Sequence, residues 1–342
     1  MDDDLILLAD GGGGERMMDL VRDEIVSRFA PAGGGGELAR LADAACLPAG
    51  EGDIAFTTDS YVVRPIEFPG GDIGRLAVAG TVNDLACVGA APVAISLALI
   101  LEEGLERAVL GRILDSAAAC AREVDVPIVC GDTKVVERGG ADQIFINTAG
   151  VGRIAAGRRL SADRIRPGDR VLVTGTLADH GVAVMSRREG LAFQTSVVSD
   201  AAPLWPLARA LLAACPNLRA LKDPTRGGLA AAVNELAEAA GVGMRIDETR
   251  VPVRPAVAGA CETLGLDPLS VANEGKFVVI VPAGEAEAAL AAARESPLGR
   301  EAADIGEVLP PPDRGPRVTL RTRIGGERVL EMPYGEDLPR IC

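Results

Sequence analysis

Between two runs of four glycines, at 11–14 and 33–36, Met17, Leu20, Val21, Ile25 and Phe29 recur near helical spacing and predict a short helix. The first fifty residues therefore read as mobile. Beyond them the pattern tightens into a mixed α/β order. The runs "DIAFTTDSYVV" (53–63), "PVAISLALIL" (92–101), "VPIVCGD" (126–132) and "QIFINTAGVGRI" (143–154) predict strands, and 72–90 and 105–124 predict helices. A Pro-Gly-Asp turn in "IRPGDRVLVTG" (165–175) opens a second such region. It contains helices at 177–189, 204–215, 227–241 and 285–296, a strand at 276–281, the run "AADIGEVL" (302–309), and Gly241 as a helix C-cap. Three prolines at 310–312 close it, and 318–332 predicts a hairpin about Gly325 and Gly326. The last ten residues, "PYGEDLPRIC", have no periodicity. The pattern divides the chain into a glycine-rich segment (1–45), a first α/β domain (46–155), a second (156–312), and a hairpin with a tail (313–342).

Composition narrows the classes. A chain of 342 residues, 48% hydrophobic, buries a sizeable core, but with aromatics at 3% that core is filled by Ala, Val, Leu and Ile. A net charge of -14 and the scarcity of aromatics argue against nucleic acid. The longest apolar stretch, 91–101, is far short of a membrane span, and the N-terminus carries acids where a secretory signal carries bases, so the expectation is a cytoplasmic protein. Seven dispersed cysteines with a single His180 form no zinc pattern and fit reduced thiols.

Carboxylates recur at the ends of apolar runs: Asp59 in "TTDS", Asp84 in "TVNDLA", Asp132 beside Thr133 and Lys134 in "VCGDTK", and Asp223 with Thr225 and Arg226 in "LKDPTRGG". Acids at strand ends and helix starts, next to Gly, Thr and cationic side chains, suit magnesium and a triphosphate. Each taken alone equally suits a helix cap or a turn. Neither glycine run matches a Walker A or a GxGxxG pattern, so P-loop and Rossmann enzymes are not supported.

In order, the segments "GGGG", "PGGDIGRLAVAGTVNDLA" (69–86), "ILEEGL" (100–105), "GDTKVV" (131–136), "NTAG" (147–150), "ADHG" (178–181), "KDPTRGG" (222–228), "VANEGK" (271–276) and the terminal "PRIC" resemble one superfamily. It is the family of aminoimidazole ribonucleotide synthetase, selenophosphate synthetase and thiamine-monophosphate kinase. The "PRIC" end is similar to its hydrogenase-maturation branch of carbamoyl dehydratases. The resemblance implies a two-domain PurM-like α/β (α+β) fold: an N-terminal domain pairing strands across a homodimer, a C-terminal α/β sandwich and a flexible tail. It implies ATP beneath Gly11, Gly12, Gly13 and Gly14, with Asp132, Thr133, Thr225 and Arg226 also at the nucleotide, and Mg2+ on Asp59, Asp84 and Asp223. Lys134, Glu274 and Asn83 would serve the reaction near Cys342. The implied partners are the carbamoyltransferase HypF and the HypC-HypD iron scaffold.

The implied chemistry is removal of water from a carbamoyl group on Cys342 to give a thiocyanate. Phosphorylation by ATP turns an oxide into a leaving group, a base (Glu274) takes the nitrogen protons, and Lys134 orients the carbamoyl. Ten extended tail residues reach about 33 Å, enough to carry a thiol between a cleft and a partner. Arg340 favours the Cys342 thiolate and the terminal carboxylate disfavours it. The chain departs from the family at Asp10, where members carry His before the first glycine run, and near Asp43, where they carry paired acids. His180 reads as a capping or packing residue with a general base as the other possibility. Two alternatives stay open: another ATP-using kinase or synthetase of the superfamily, although the first cysteine here is Cys46, or a carrier in which ATP only gates the tail.

Overall fold

The computed structural model describes residues 14–26, 40–188, 197–313, 317–334, 338 and 340–342. Gly11, Gly12, Gly13 and Asp10 lie outside them. Glu15–Asp19 (α1) and a π-helical continuation, Leu20–Val26, form the predicted first helix.

The first half builds a five-stranded sheet. Its strands are Ala45–Pro48 (β1), Asp53–Tyr61 (β2), Ala91–Glu102 (β5), Ile128–Val136 (β6) and Ile144–Ile154 (β7), in the order β1-β2-β7-β5-β6. Only β5 and β6 run parallel. A small hairpin, Glu67–Phe68 (β3) with Gly71–Asp72 (β4), leads into the helix Ile73–Cys87 (α2), which Asp72 caps by accepting from the backbone N–H groups of Gly74 and Arg75. The helix Arg107–Glu123 (α3) packs beside it. Small residues let α2 lie close to the sheet: a Cβ on Gly150 of β7 would stand 2.7 Å from the Thr81 methyl. The opposite face is uncovered. Leu47 sits across from Ile54, and Phe56 across from Val151, all four exposed, with Ile100 of β5 exposed on the same face.

The second half builds a seven-stranded sheet from Arg170–Val173 (β8), Ala220–Lys222 (β9), Gly243–Asp247 (β10), Val278–Val281 (β11), Ala303–Leu309 (β12), Val318–Arg321 (β13) and Glu327–Val329 (β14). Its helices are Asp179–Arg188 (α4), Trp205–Ala214 (α5), Gly228–Ala240 (α6), Pro255–Leu264 (α7) and Ala286–Glu295 (α8). Alternation along the strands feeds two cores. Val171, Val173, Val278 and Ile280 pack with Leu229, Val233 and Leu236 of α6, while Leu172, Val279 and Val281 pack with Leu207, Leu211 and Ala289 of α5 and α8. Burial on both faces explains the unbroken apolar runs of β8 and β11. Gly241 ends α6 at φ 67, the left-handed position a Cβ disfavours.

Three findings correct the sequence reading. The first fifty residues are not uniformly loose, since β1 pairs with β2 and buries Cys46. The hairpin about Gly325 extends the seven-stranded sheet, β13 lying parallel to β10. The strands β1, β9 and β10 and the helix α7 were not anticipated: β9 has only three residues, and Pro252 and Pro255 punctuate the chain just where α7 begins. No helix among the described residues is long and apolar enough to cross a membrane.

Candidate functional site

Strand alternation sends Thr57, Asp59 and Tyr61 of β2 to the side on which α2 packs, while Asn83, Asp84 and Cys87 come from the C-terminal end of α2. Lys222, Asp223 and Arg226 arrive from the end of β9 and the turn before α6. Four carboxylates meet there. The Thr57 hydroxyl donates to Asp84 at 2.8 Å, with the Asp43 carbonyl 3.0 Å away. Lys222 reaches Asp43 at 2.6 Å and Glu235 at 3.0 Å.

The charges are poorly compensated. Burial, then the carboxylates of Asp223, Asp59 and Asp43, pushes the Asp84 pKa well above the usual range. The end of the helix macrodipole acts in the same direction. Burial and Asp43 push Asp223 up to about 7, against the opposing charge of Lys222. Asp59 is raised by burial, with Arg226 pulling the other way. Burial alone would lower Lys222, yet Asp43, Glu235 and Asp223 together hold it well above the usual lysine value. Ligand atoms of Asp43, Cys87 and Asp223 lie within 4.8 Å of one another. The trio joins two carboxylates to a buried thiol whose pKa burial pushes well above the usual value, so it is the hard oxygens of Asp43 and Asp223, with those of Asp59 and Asp84 nearby, that fit a divalent cation such as magnesium.

The "VANEGK" loop forms the next wall, and each residue has a physical job. Asn273 donates to the carbonyls of Pro224 and Val271 and accepts from Ala178 N–H. At Gly275 a Cβ would stand 1.9 Å from the Asp200 carbonyl oxygen, so only glycine fits. The Asp200 carboxylate accepts from Glu274 N–H, Gly275 N–H and Lys276 Nζ, each at 3.1 Å. That leaves the Glu274 side chain buried, with Oε1 lacking a hydrogen-bond partner among the described residues. Burial, followed by the charges of Asp223, Asp200 and Asp59, raises its pKa well above the usual value.

Asn83 has a different role from the one expected. Its amide donates to the carbonyls of Ala202 (3.1 Å) and Glu274 (3.4 Å) and accepts from Leu204 N–H at 2.7 Å. Both ends are spent on backbone, so Asn83 positions the loop that bears Glu274.

Asp132, Thr133 and Lys134 stand apart from the cluster. They lie on β6, an exposed edge strand, where Lys134 pairs with Asp132 at 2.5 Å and both side chains are about two-thirds exposed (67% and 64%). Gly131 is opposite Leu97, Leu97 opposite Thr148, and Thr148 opposite Asp59. Three strand spacings, roughly 14 Å, therefore separate that rung of β6 from Asp59. Within one chain, Lys134 and Glu274 are not brought together. Thr225 and Arg226 do sit at the cluster, in the turn that ends at Gly228. Gly14 caps α1, and Glu15 N–H donates to the carbonyl of Pro333, so the glycine-rich segment touches the root of the tail.

The end of the tail is docked. Leu338 and Ile341 are buried in the core that holds Tyr61, Val182, Val271 and Ala272, and the half-buried Cys342 packs against it. Val62 N–H donates to the Cys342 carbonyl and Arg64 N–H to that of Arg340, both at 3.1 Å. Arg340 crosses the Phe145 ring at 5.6 Å and donates to the carbonyl of Val62 and the carboxylate of Asp142. His180 takes the remaining carbonyl, that of Ile341, at 2.8 Å. Sequence reasoning missed Lys222, Lys276, Asp200, Ser199 and this contact of His180. The two lysines stood inside the quoted segments "KDPTRGG" and "VANEGK", whereas nothing local marks Asp200 or Ser199.

Two parts of the chain match the AIR synthase related protein family, residues 41–154 its N-terminal domain and 166–318 its C-terminal domain. The carbamoyl dehydratase HypE of Rhodobacter capsulatus is 51% identical over 340 residues, 99% of each chain. Among solved structures, a HypE-HypF complex superposes with a TM-score of 0.84 at 45% identity, covering 90% of this chain and 99% of that one. The hydrogenase maturation protein HypE in complex with ATP gives 0.82 at 46%, covering 99% and 100%.

Proposed function

Because the chain belongs to the HypE carbamoyl dehydratases of the AIR synthase related family, we propose that it uses ATP to dehydrate an S-carbamoyl group on its own Cys342 to a thiocyanate. The product supplies cyanide for the iron of a nickel-iron hydrogenase. One observation carries the reading: the carbonyl of Cys342 is held by Val62 N–H, only three residues beyond Asp59 on the same chain run. Three extended residues span roughly 10 Å, so a group on the thiol lies within reach of the acid cluster.

The reaction follows from these placements. The terminal phosphoryl of ATP passes to the carbamoyl oxygen as one nitrogen proton leaves. The C–O bond then breaks as the second proton leaves, releasing phosphate and forming the C≡N bond. Glu274 is the base: burial that raises its pKa makes it a stronger proton acceptor once ionised. Arg226, whose charge opposes the shifts of both Asp59 and Glu274, faces the phosphoryl. Magnesium, held by Asp59, Asp84 and Asp223 with Asp43, would neutralise charge on the transferring group. Gly14, at the N-cap of α1, lies beside the nucleotide.

The uncovered face of the five-stranded sheet and the edge strand β6 fit a homodimer, in which Lys134 of the partner subunit completes the site opened by Glu274. The tail, released and extended, presents Cys342 to the carbamoyltransferase HypF for loading and to a HypC-HypD iron scaffold for delivery. Acidic composition and cysteines that form no disulfide suit a cytoplasmic enzyme.

The test is intact mass. Carbamoylated protein given ATP and Mg2+ should lose about 18 Da, one water, from its C-terminal peptide as ATP is consumed. ATP hydrolysis with an unchanged carbamoyl mass would instead make the chain a gated carrier.

A further inference from the structure

The last three residues lie extended beside Val62 and Arg64, and in an extended chain successive carbonyls point to opposite sides. Those of Arg340 and Cys342 face the backbone N–H groups of Arg64 and Val62. That of Ile341 points the other way, in a residue only 1% exposed, where an unpaired carbonyl would be costly. Its donor is His180 Nε2 at 2.8 Å. A carbonyl only accepts, so Nε2 carries the proton and Nδ1 must accept. The group within reach of Nδ1 is the Ser199 hydroxyl at 2.8 Å. Ser199 is oriented in turn, since its oxygen accepts from Ala201 N–H at 3.0 Å. Phe68 meets the imidazole edge-on, with centroids 5.3 Å apart. His180 is fully buried, and burial lowers its pKa, which keeps the ring neutral and the tautomer single.

We propose that His180, set by Ser199, is a positioning residue that latches the penultimate carbonyl of the tail and so holds the group on Cys342 at the reacting site. It acts through the backbone and touches no reacting atom. The latch rests on the reading of Cys342 as the tethered substrate carrier. It also gives the "ADHG" segment a purpose: Gly181 lies against Val271 of the "VANEGK" segment, where a Cβ would come within 2.4 Å of its methyl, so the imidazole and Glu274 share one wall.

The experiment compares His180→Phe, which keeps a ring and loses the donor, with His180→Gln, which keeps an N–H at similar reach, and with Ser199→Ala. Two quantities are read on the full chain. The first is the rate at which iodoacetamide modifies Cys342, followed on the C-terminal peptide because Cys130 is also exposed. The second is the single-turnover rate of water loss from carbamoylated protein, with ATP affinity and melting temperature as controls. Losing one buried hydrogen bond should make the tail of His180→Phe about tenfold more reactive and slow water loss about tenfold. His180→Gln should recover most of both, with ATP affinity unchanged. A Phe variant matching the wild type in both rates overturns the latch, and so does a Gln variant as impaired as Phe, which would make the ring a packing element. If the Phe variant fails to fold, Ser199→Ala decides: faster Cys342 labelling supports the latch and wild-type labelling overturns it. Absence of water loss in the wild type would sink the dehydratase reading alone, because the labelling comparison needs no chemistry at the carbamoyl.

Discussion

The seven-stranded sheet is covered on both faces, whereas the five-stranded sheet is covered by α2 and α3 on one and leaves Leu47, Phe56, Val151 and Ile100 open on the other. Both sheets carry parts of the site. The covered one ends its strands at Lys222 and Asp223 and supports the loop of Glu274, all fixed within one chain. The open one carries Asp59 on its inner strand and Lys134 on its outer edge. A sheet that leaves this much apolar surface uncovered is built to be covered by something else. Its unfinished edge carries the lysine that a single chain does not bring to Glu274.

The comparison breaks first under a charge. Val279→Asp, in the middle of the doubly covered sheet, should abolish folding, since an unpaired buried carboxylate costs several kcal/mol, on the order of the whole stability. Phe56→Asp, on the open face, should leave each chain folded and its melting cooperative while sedimentation finds monomers. A Phe56→Asp chain that unfolds like Val279→Asp would mean that the two sheets do not differ in the way described.

The next effect is chemical. Glu274→Gln keeps the loop's backbone contacts to Asp200 and removes only the proton acceptor, so ATP should still bind while water loss falls at least about 100-fold. Asn83→Ala gives a useful contrast. Because Asn83 holds backbone, its loss should lower melting temperature together with activity, whereas Glu274→Gln should leave the melt unchanged or raise it.

Metal removal tests the acid cluster. The carboxyl of Asp223 is raised from an ordinary value near 3.8 to about 7 in the folded chain, and Asp84 shifts the same way. Between those pH values the folded state binds more protons than the unfolded one, so metal-free stability falls as pH rises through the window. Mg2+ should offset this. The rise in melting temperature on adding Mg2+ should be larger at about pH 8 than at about pH 5.5. An equal rise at both would place the cation elsewhere.

What the sequence revealed divides along the same line. The long elements β2, α2, β5, α3 and β7 were legible because they run for two or more periods of their pattern, and the doubly buried β8 and β11 because they are short apolar runs between turns. Asp59, Asp84, Asp223, Glu274 and Arg226 do converge: Asp59 lies near the end of β2 and Asp84 in the last turn of α2, both strong elements, and the other three lie in loops beside strands. What escaped is set by tertiary contact: that Asn83 would give both ends of its amide to backbone, that Asp43 would join the cluster through Lys222, and that His180 would reach the tail 161 positions away. The placement of Lys134 escaped for another reason. The segment "GDTKVV" marks a motif, but a motif does not say which sheet edge it occupies or which chain it serves.

The smallest effect sharpens the comparison most. Lys134→Ala removes one side of an exposed pair with Asp132, so melting temperature should scarcely move, yet water loss should fail if the partner subunit supplies this lysine. Chains carrying Lys134→Ala and chains carrying Glu274→Gln would then each be inactive alone. When they are mixed and allowed to exchange, half of the dimers are hybrids, and each hybrid holds one site with both wild-type side chains. Activity should therefore return to roughly a quarter of the wild-type rate. A lysine acting within its own chain predicts no recovery, because neither site of the hybrid would then be whole. Recovery in the mixture, and its loss when Phe56→Asp is added to both chains, would tie the open face of the five-stranded sheet directly to the reaction.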